Sequence, residues 1–306
     1  MKVAALAGGV GGAKLLVGLQ RALPAGNLTA LVNTGDDALI YGVHVSPDVD
    51  IVTYRLAGIG DTERGWGVRG DTFEVLEALR RLGAESWFAL GDRDLATCIY
   101  RTERLRDGAT LSIVTDEIRR ALGTPTLVLP MSDDPVRTVV ACADGRTLGF
   151  QEYFVRERTA PEVAAVSFAG IEDAKPAPGI IESVERADRV IVCPSNPILS
   201  IAPMLALPGV RAALQEHPSV VAVTPLVRGA AVKGPADRLM RDLGMGSSAS
   251  AVARLYADFV DAFVVDGRDP DQVGATAALG LRAEARDTMM PDENASERLG
   301  RALLEL

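Results

Sequence analysis

Val3-Ala4-Ala5-Leu6-Ala7 runs directly into Gly8-Gly9-Val10-Gly11-Gly12-Ala13-Lys14 and then Leu15-Leu16. An apolar run followed by clustered glycines and a second apolar run reads as a strand, a tight turn and a helix start. Glycines are useful where backbone must approach another molecule closely, because no Cβ intervenes. A helix predicted over 12–23 would aim its free N–H groups and positive dipole end into that turn. Gly8, Gly9, Gly11 and Gly12 are therefore a candidate phosphate cradle, with Lys14 a mobile cation in the first helical turn. A P-loop would need adjacent Gly-Lys followed by Ser or Thr, whereas Ala13 intervenes and Leu15 follows. A dinucleotide fingerprint fits Gly9 and Gly11 but meets Lys14 at its third glycine. A tight turn with no ligand is the plainer alternative.

The next apolar run, Leu28 to Val32, ends at Asn33-Thr34-Gly35-Asp36-Asp37. Two strands joined by a helix make a right-handed crossover, so both loops open on the C-terminal edge of one parallel sheet. Asp36 and Asp37 then lie near the glycine turn, where neighbouring carboxylates and a phosphate need a cation between them; a solvated turn or helix cap is the alternative. Ser46-Pro47-Asp48-Val49-Asp50 reads as an N-cap and first helical turn, which adds Asp48 and Asp50 to the acidic group. Gly58 to Gly70, with Trp66, reads as a long functional loop.

Further along, Asp71 to Glu74 opens a helix to about Leu82. The charged turn Gly91-Asp92-Arg93-Asp94 precedes a helix whose Arg101, Arg104 and Arg106 form a basic face, either solvated or with Arg101 reaching an anion. A helix over 111–122 and a strand over 126–130 follow. Thr138 to Val140, the Asp144-Gly145 turn and Gly149 to Phe154 read as a β-hairpin. Strands return at Arg189 to Cys193, Val220 to Thr224 and Ala262 to Asp266, and a last amphipathic helix lies near Leu299 to Leu306. Pro194-Ser195-Asn196-Pro197 sets a rigid turn at a strand's C-terminal edge, displaying Ser195 and Asn196, and Lys233 sits beside Gly234 as another mobile cation. The predicted fold is α/β, a Rossmann-like mainly parallel sheet shared by both halves. An inserted α+β segment over 55–185 contains the hairpin.

Of the 306 residues, 48% are hydrophobic and 24% charged, so a globular chain is expected. The formal net charge of −9 works against binding a phosphate backbone over a broad surface, which disfavours nucleic acid as a partner. Cys98, Cys142 and Cys193 are odd in number and far apart, and suggest neither disulfides nor zinc. With His44 and His217 the only histidines, a metal here would be a hard ion on carboxylates, magnesium or manganese before zinc. No apolar stretch reaches the roughly 20 residues of a membrane helix, so a soluble, cytoplasmic protein without a membrane partner is expected.

Taken together, Gly-Gly-Val-Gly-Gly-Ala-Lys, Asn-Thr-Gly-Asp-Asp, Ser-Pro-Asp-Val-Asp, Gly-Asp-Arg-Asp-Leu-Ala-Thr, Leu-Pro-Met-Ser-Asp-Asp-Pro, Pro-Ser-Asn-Pro and Val-Lys-Gly-Pro resemble, in this order, the 2-phospho-L-lactate transferase family, from residue 1 to about Asp266. The resemblance implies a single transferase domain over 1–306 and a homodimer. It also implies magnesium-dependent transfer of a 2-phospholactyl or phosphoenolpyruvyl group from a guanosine diphosphate conjugate to the deazaflavin FO. That reaction releases GMP and belongs to coenzyme F-420 biosynthesis.

On this resemblance the donor would lie on Gly8, Gly9, Gly11, Gly12, Lys14, Ser195, Asn196 and Lys233. Magnesium would sit near Asp36, Asp37 and Asp48, and FO on Asp48 and Asp50, with Asp37 and Asp50 catalytic. The second aspartate of Ser-Pro-Asp-Val-Asp is the family's FO contact, and Asp50 matches it. Relatives often carry a basic residue where Ala89 stands and a histidine where Cys98 stands. A related family of nucleotide-sugar-binding regulatory proteins, without transferase activity, resembles Asp-Asp-Gly-Gly-Ser at the place where Asp36-Asp37 is followed here by Ala38-Leu39. A nicotinamide-dependent dehydrogenase is disfavoured by Lys14.

Overall fold

The computed structural model describes residues 1–306. Seven strands form the central sheet: β1 (Val3–Ala7), β2 (Leu28–Val32), β3 (Leu127–Pro130), β4 (Arg189–Val192), β5 (Val220–Val223), β6 (Ala262–Asp266) and β7 (Arg282–Arg286). Their spatial order is β7-β6-β5-β4-β1-β2-β3, and every neighbouring pair is parallel. Strand order therefore reverses between β1 and β4, where Leu6 lies opposite Val192 on one side and Leu31 on the other. Ligands of open α/β sheets bind at such a reversal, outside the carboxyl ends of the strands.

Both sheet faces are covered, which is why the inner strands read as continuous apolar runs. Ala4 and Leu6 join one buried cluster with Val190 and Val192, while Val3, Ala5 and Ala7 join another with Leu15, Leu16 and Leu19. These leucines lie on helix α1 (Gly9–Ala22), which begins three residues before the expected Gly12 and so takes three of the clustered glycines into its first turn. Gly11, Gly12 and Gly18 cost a helix roughly 3 kcal/mol against alanine. Complete burial of three leucines returns roughly 6 kcal/mol, so packing against the sheet holds α1 in place.

The 55–185 stretch divides between the main sheet, to which it gives edge strand β3, and a separate three-stranded antiparallel sheet. In that sheet Arg137–Cys142 pairs with Thr147–Gly149 and with Val163–Ala169. The hairpin is present, but its second strand stops at Gly149, and Glu152–Arg156 is a helical turn where a strand to Phe154 was expected. The third strand and β7 were not anticipated from the sequence. The C-terminal helix starts earlier than expected, spanning Glu293–Leu304. No single helix is long and apolar enough to cross a membrane.

The C-terminal helix crosses α1 so closely that a Cβ on Gly18 would run into the backbone carbonyl of Ser296. Gly18→Ala is expected to lower stability by about 1–3 kcal/mol or more, read as a drop in the urea midpoint. An unchanged midpoint would contradict this crossing.

Candidate active site

At the strand-order reversal the chain leaves β1 at Gly8 and β4 at Cys193-Pro194-Ser195. The Ser195 hydroxyl ties these exits together, accepting from Gly8 N at 3.0 Å and donating to Gly8 O at 2.8 Å. Asn196 Oδ1 accepts from Ile198 N and Leu199 N at 2.9 and 3.1 Å and so caps the helical turn that follows, which leaves its buried Nδ2 without a partner. The glycines answer mainly to the protein's own atoms. A Cβ on Gly8 would strike the Asp48 carboxylate and Ser200, one on Gly11 the Pro194 carbonyl, and one on Gly12 the Ser195 hydroxyl. Only Gly9 needs its freedom for conformation, with φ +63 and nothing closer than 3.8 Å.

The expected phosphate position already has a negative charge beside it. Helix α2 (Pro47–Leu56) starts at Ser46, with proline at its first position and Asp48 and Asp50 in its first turn. Two residues apart, these aspartates point to opposite sides. Asp48 Oδ1 accepts the Gly9 N–H at 2.6 Å, at the positive end of α1, and its Oδ2 accepts from Asn33 Nδ2 at 3.0 Å. The same Asn33 amide lies 3.4 Å from Asp36 Oδ1, and Gln151 Nε2 lies 3.5 Å from Asp36 Oδ2. Asp36 is thus buried with only long contacts. Burial, reinforced by the charges of Asp48 and Asp37, holds its carboxyl well above the usual range. Burial pushes Asp48 up to about 6 against the pull of Asn33 and Gly9.

Asp37 does not join them at the cavity. Its Oδ2 faces His44 Nε2 at 2.8 Å and accepts from Ser46 Oγ at 2.7 Å, while its buried Oδ1 has no partner. Ligand atoms of Asp36, Asp37 and Asp48 do not all lie within 4.8 Å of one another.

Asp50 turns towards helix α4 (Asp92–Arg106), where both its oxygens accept from the fully buried guanidinium of Arg101. Arg101 is therefore neither solvated nor waiting for a ligand, as the basic-face expectation had it. Burial raises the Asp50 carboxyl while the charge and hydrogen bonds of Arg101 pull it back down, so loss of either partner would leave the other buried without its counter-charge. Asp94, in the first turn of α4, accepts from the Tyr54 hydroxyl at 2.9 Å, and burial and the Asp50 charge push it up to about 7. Asp50, Asp94 and Cys98 do bring ligand atoms within 4.8 Å, but a cation among them would compete with Arg101 for Asp50. Cys98 itself is buried beneath this group. The elements holding it are capped in exchange. Asp92, at the start of α4, accepts from Glu74 N and Val75 N at the start of helix α3 (Glu74–Arg81), while Asp71 accepts from Arg93 N and Asp94 N.

A cavity of about 570 Å³ connects these groups. Gly8, Gly9, Gly11, Lys14, Ser195, Asn196 and Lys233 line it together with Asp36, Asp48 and Asp50, whereas Gly12 and Asp37 do not. Lys14 Nζ donates to Met290 O and Lys233 Nζ to Arg64 O, each at 2.8 Å. Burial and the Arg55 charge lower both ammonium pKa values. The Gly58 to Gly70 loop supplies Arg64 and Trp66 to the wall. Phe88, Phe150 and Phe154 also line it, the last two stacked at 5.4 Å. Ala89 stands among them without a charge. In a chain with few aromatics this wall was not read from sequence. Asp94, Cys98 and Arg101, at i, i+4 and i+7 on α4, mark a buried face that helical spacing alone could have flagged.

One end of the cavity can thus hold phosphates, with helix N–H groups, two ammonium groups and carboxylates, and the other a flat aromatic molecule. The family model described as 2-phospho-L-lactate transferase CofD matches residues 3–305. The chain belongs to the 2-phospho-L-lactate transferase family. It is 42% identical over 312 residues to the phosphoenolpyruvate transferase of Streptomyces griseus subsp. griseus, covering 100% of this chain and 98% of that one. It is 40% identical over 298 residues to the 2-phospho-L-lactate transferase of Methanosarcina mazei, covering 97% and 98%. Among solved structures, BH3568 of Bacillus halodurans, described as a UPF0052 family member, superposes with a TM-score of 0.66 at 17% identity, covering 99% of this chain and 98% of that one. A second structure of BH3568 gives 0.68 at 19%, covering 99% of each. These two share the fold.

Raised carboxylates make folding depend on pH in a definite direction. Native Asp36, Asp48 and Asp94 bind protons at pH values where unfolded carboxylates, near 3.9, have lost them. Stability without divalent cations should therefore rise as pH falls from 8 towards 5. Asp36→Asn should raise the Tm at pH 8 and flatten this slope; a slope equal to that of the parent protein would contradict the buried-charge account.

Proposed function

We propose that this protein transfers a 2-phospholactyl or phosphoenolpyruvyl group from a guanosine diphosphate conjugate to the deazaflavin FO, releasing GMP, as a step of coenzyme F-420 biosynthesis. The observation that carries the reading is full-length identity of 40–42% to relatives bearing both transferase names. The cavity supports it chemically. Phosphoryl transfer is mostly positioning and neutralisation of charge, and donors are needed where charge develops. In this reading the diphosphate lies at the start of α1 between Lys14 and Lys233, near the free Nδ2 of Asn196, and the deazaflavin lies along Trp66, Phe88, Phe150 and Phe154. Asp50, held by Arg101, contacts the acceptor hydroxyl.

The residues present fit a hard cation. Asp36 and Asp48 are buried carboxylates sharing one neutral amide, and Asp37 keeps an unpartnered oxygen behind them. Asp36 and Asp48 would hold magnesium, with Asp37 completing the negative field through the second layer. When bound, the metal would neutralise charge on phosphoryl oxygens beside Asp48. The proposal extends, on family resemblance, to a cytoplasmic homodimer.

The regulatory alternative is disfavoured because Ala38-Leu39 follows the aspartate pair, and Ala38–Ile40 forms a short hairpin with Val43–Val45. Purified protein incubated with FO, magnesium and each guanylated three-carbon acid, followed by product mass, tests the reading. An FO adduct and GMP are expected from the phospholactyl or phosphoenolpyruvyl donor, and failure with every donor would overturn it. Lys14→Ala should weaken GDP binding about tenfold or more, ~1.4 kcal/mol, measured by calorimetry, while FO binding persists. Unaltered GDP affinity would remove Lys14 from the donor site.

A further inference from the structure

Asp50 and Asp94 both line the cavity, yet they differ in what they are free to do. Both Asp50 oxygens are engaged by a guanidinium that is fully buried. With both oxygens committed to Arg101, Asp50 has none free to receive a proton. Asp94 is built differently. Its backbone N–H is fixed by Asp71 Oδ2 at 3.1 Å and its Oδ1 by the Tyr54 hydroxyl at 2.9 Å. No protein group donates to Oδ2, which lies at the cavity wall beside Gly67. One oxygen is anchored and the other has no protein donor, in a residue that lines the cavity with Gly67.

We propose that Asp94 is the general base that takes the proton of the acceptor hydroxyl, while Asp50, locked by Arg101, holds that hydroxyl in place. The assignment rests on the transferase reading above. In the step, the acceptor O–H bond breaks and its proton passes to Asp94 Oδ2. The freed oxygen bonds to the phosphorus bearing the three-carbon acid. The bond from that phosphorus to the bridging oxygen breaks, its electron pair leaving on the phosphate of GMP. Solvent then takes the proton from Asp94. Arg101 is a positioning residue in this scheme.

The surroundings give Asp94 a proton affinity suited to the task. Burial is the largest influence, and the charges of Asp50 on α2 and Asp71 in the preceding loop also favour the protonated form. The Tyr54 hydroxyl on α2 and Arg101 on its own helix favour the carboxylate, and the result is a pKa of about 7. Cys98 Sγ is the remaining group nearby. A base must be ionised to act, so turnover should fall as pH drops below about 7, with the slope of one proton.

The test is the pH profile of kcat at saturating FO and donor for the parent protein, Asp94→Asn, Tyr54→Phe and Asp50→Asn, with FO and GDP affinities measured by equilibrium dialysis. Asp94→Asn should lose on the order of a hundredfold or more in kcat, keep both affinities and show no acid limb in its residual rate. Tyr54→Phe removes a hydrogen bond that favours the carboxylate, so its acid limb should move to higher pH; this variant keeps the test decisive should Asp94→Asn fold poorly. Asp50→Asn should instead weaken FO binding. An active parent protein with near-parental kcat in Asp94→Asn, an acid limb that persists there, or a limb unmoved in Tyr54→Phe overturns the assignment while leaving the transferase reading intact. A parent protein that makes no FO adduct from any guanylated donor overturns both.

Discussion

The Asp48 carboxylate accepts the first free N–H of α1, and much of the surrounding structure follows from that contact. A helix N-terminus at a strand-order reversal is a natural seat for phosphate, yet here a carboxylate occupies part of it. Holding it there requires the Asn33 amide on its other oxygen and no Cβ on Gly8. It also requires α2 to begin with proline at the correct distance from the turn. Asp36 supplies a second carboxylate in the same buried environment, where burial and the Asp48 charge favour its protonated form and a bound cation would favour the charged one. In the proposed reading the negative cluster is a component of phosphate binding.

The same helix start separates two tasks. Asp48 faces the glycine turn, while Asp50, on the opposite side of the first turn of α2, faces Arg101. The proposed donor and acceptor sites adjoin because β1, β2 and β4 end at the same edge, and the loops after them carry the glycine turn, the aspartates and Ser195. The antiparallel segment and the Gly58 to Gly70 loop close over that edge and furnish its aromatic wall.

Much of this was legible in sequence because it depends on short-range pattern. The apolar strands β1, β2, β4, β5 and β6 each end at a chemically distinctive loop, and the motifs in those loops carried the family resemblance. β7 was missed because Arg282-Ala-Glu-Ala-Arg286 lies at the sheet edge with charged residues on its exposed face, so no apolar run betrays it. Val163–Ala169 is similarly exposed along much of its length. The glycine cluster was read as a cradle for ligand, whereas Gly8, Gly11 and Gly12 are demanded by Asp48, Pro194 and Ser195, contacts between segments remote in sequence. Arg101 looked like one member of a basic face. Its partner Asp50 lies 51 positions earlier, and only the fold brings the two together.

A crystal of the protein with GDP and manganese as a spectroscopically heavier stand-in for magnesium tests the central claim directly, through the anomalous signal of the bound ion. The account predicts a manganese peak between the Asp36–Asp48 carboxylates and the terminal phosphate of GDP, with that phosphate beside the Gly9 end of α1. A peak among Asp50, Asp94 and Cys98 with Arg101 displaced, or phosphates bound away from α1 with no metal near Asp48, would contradict it.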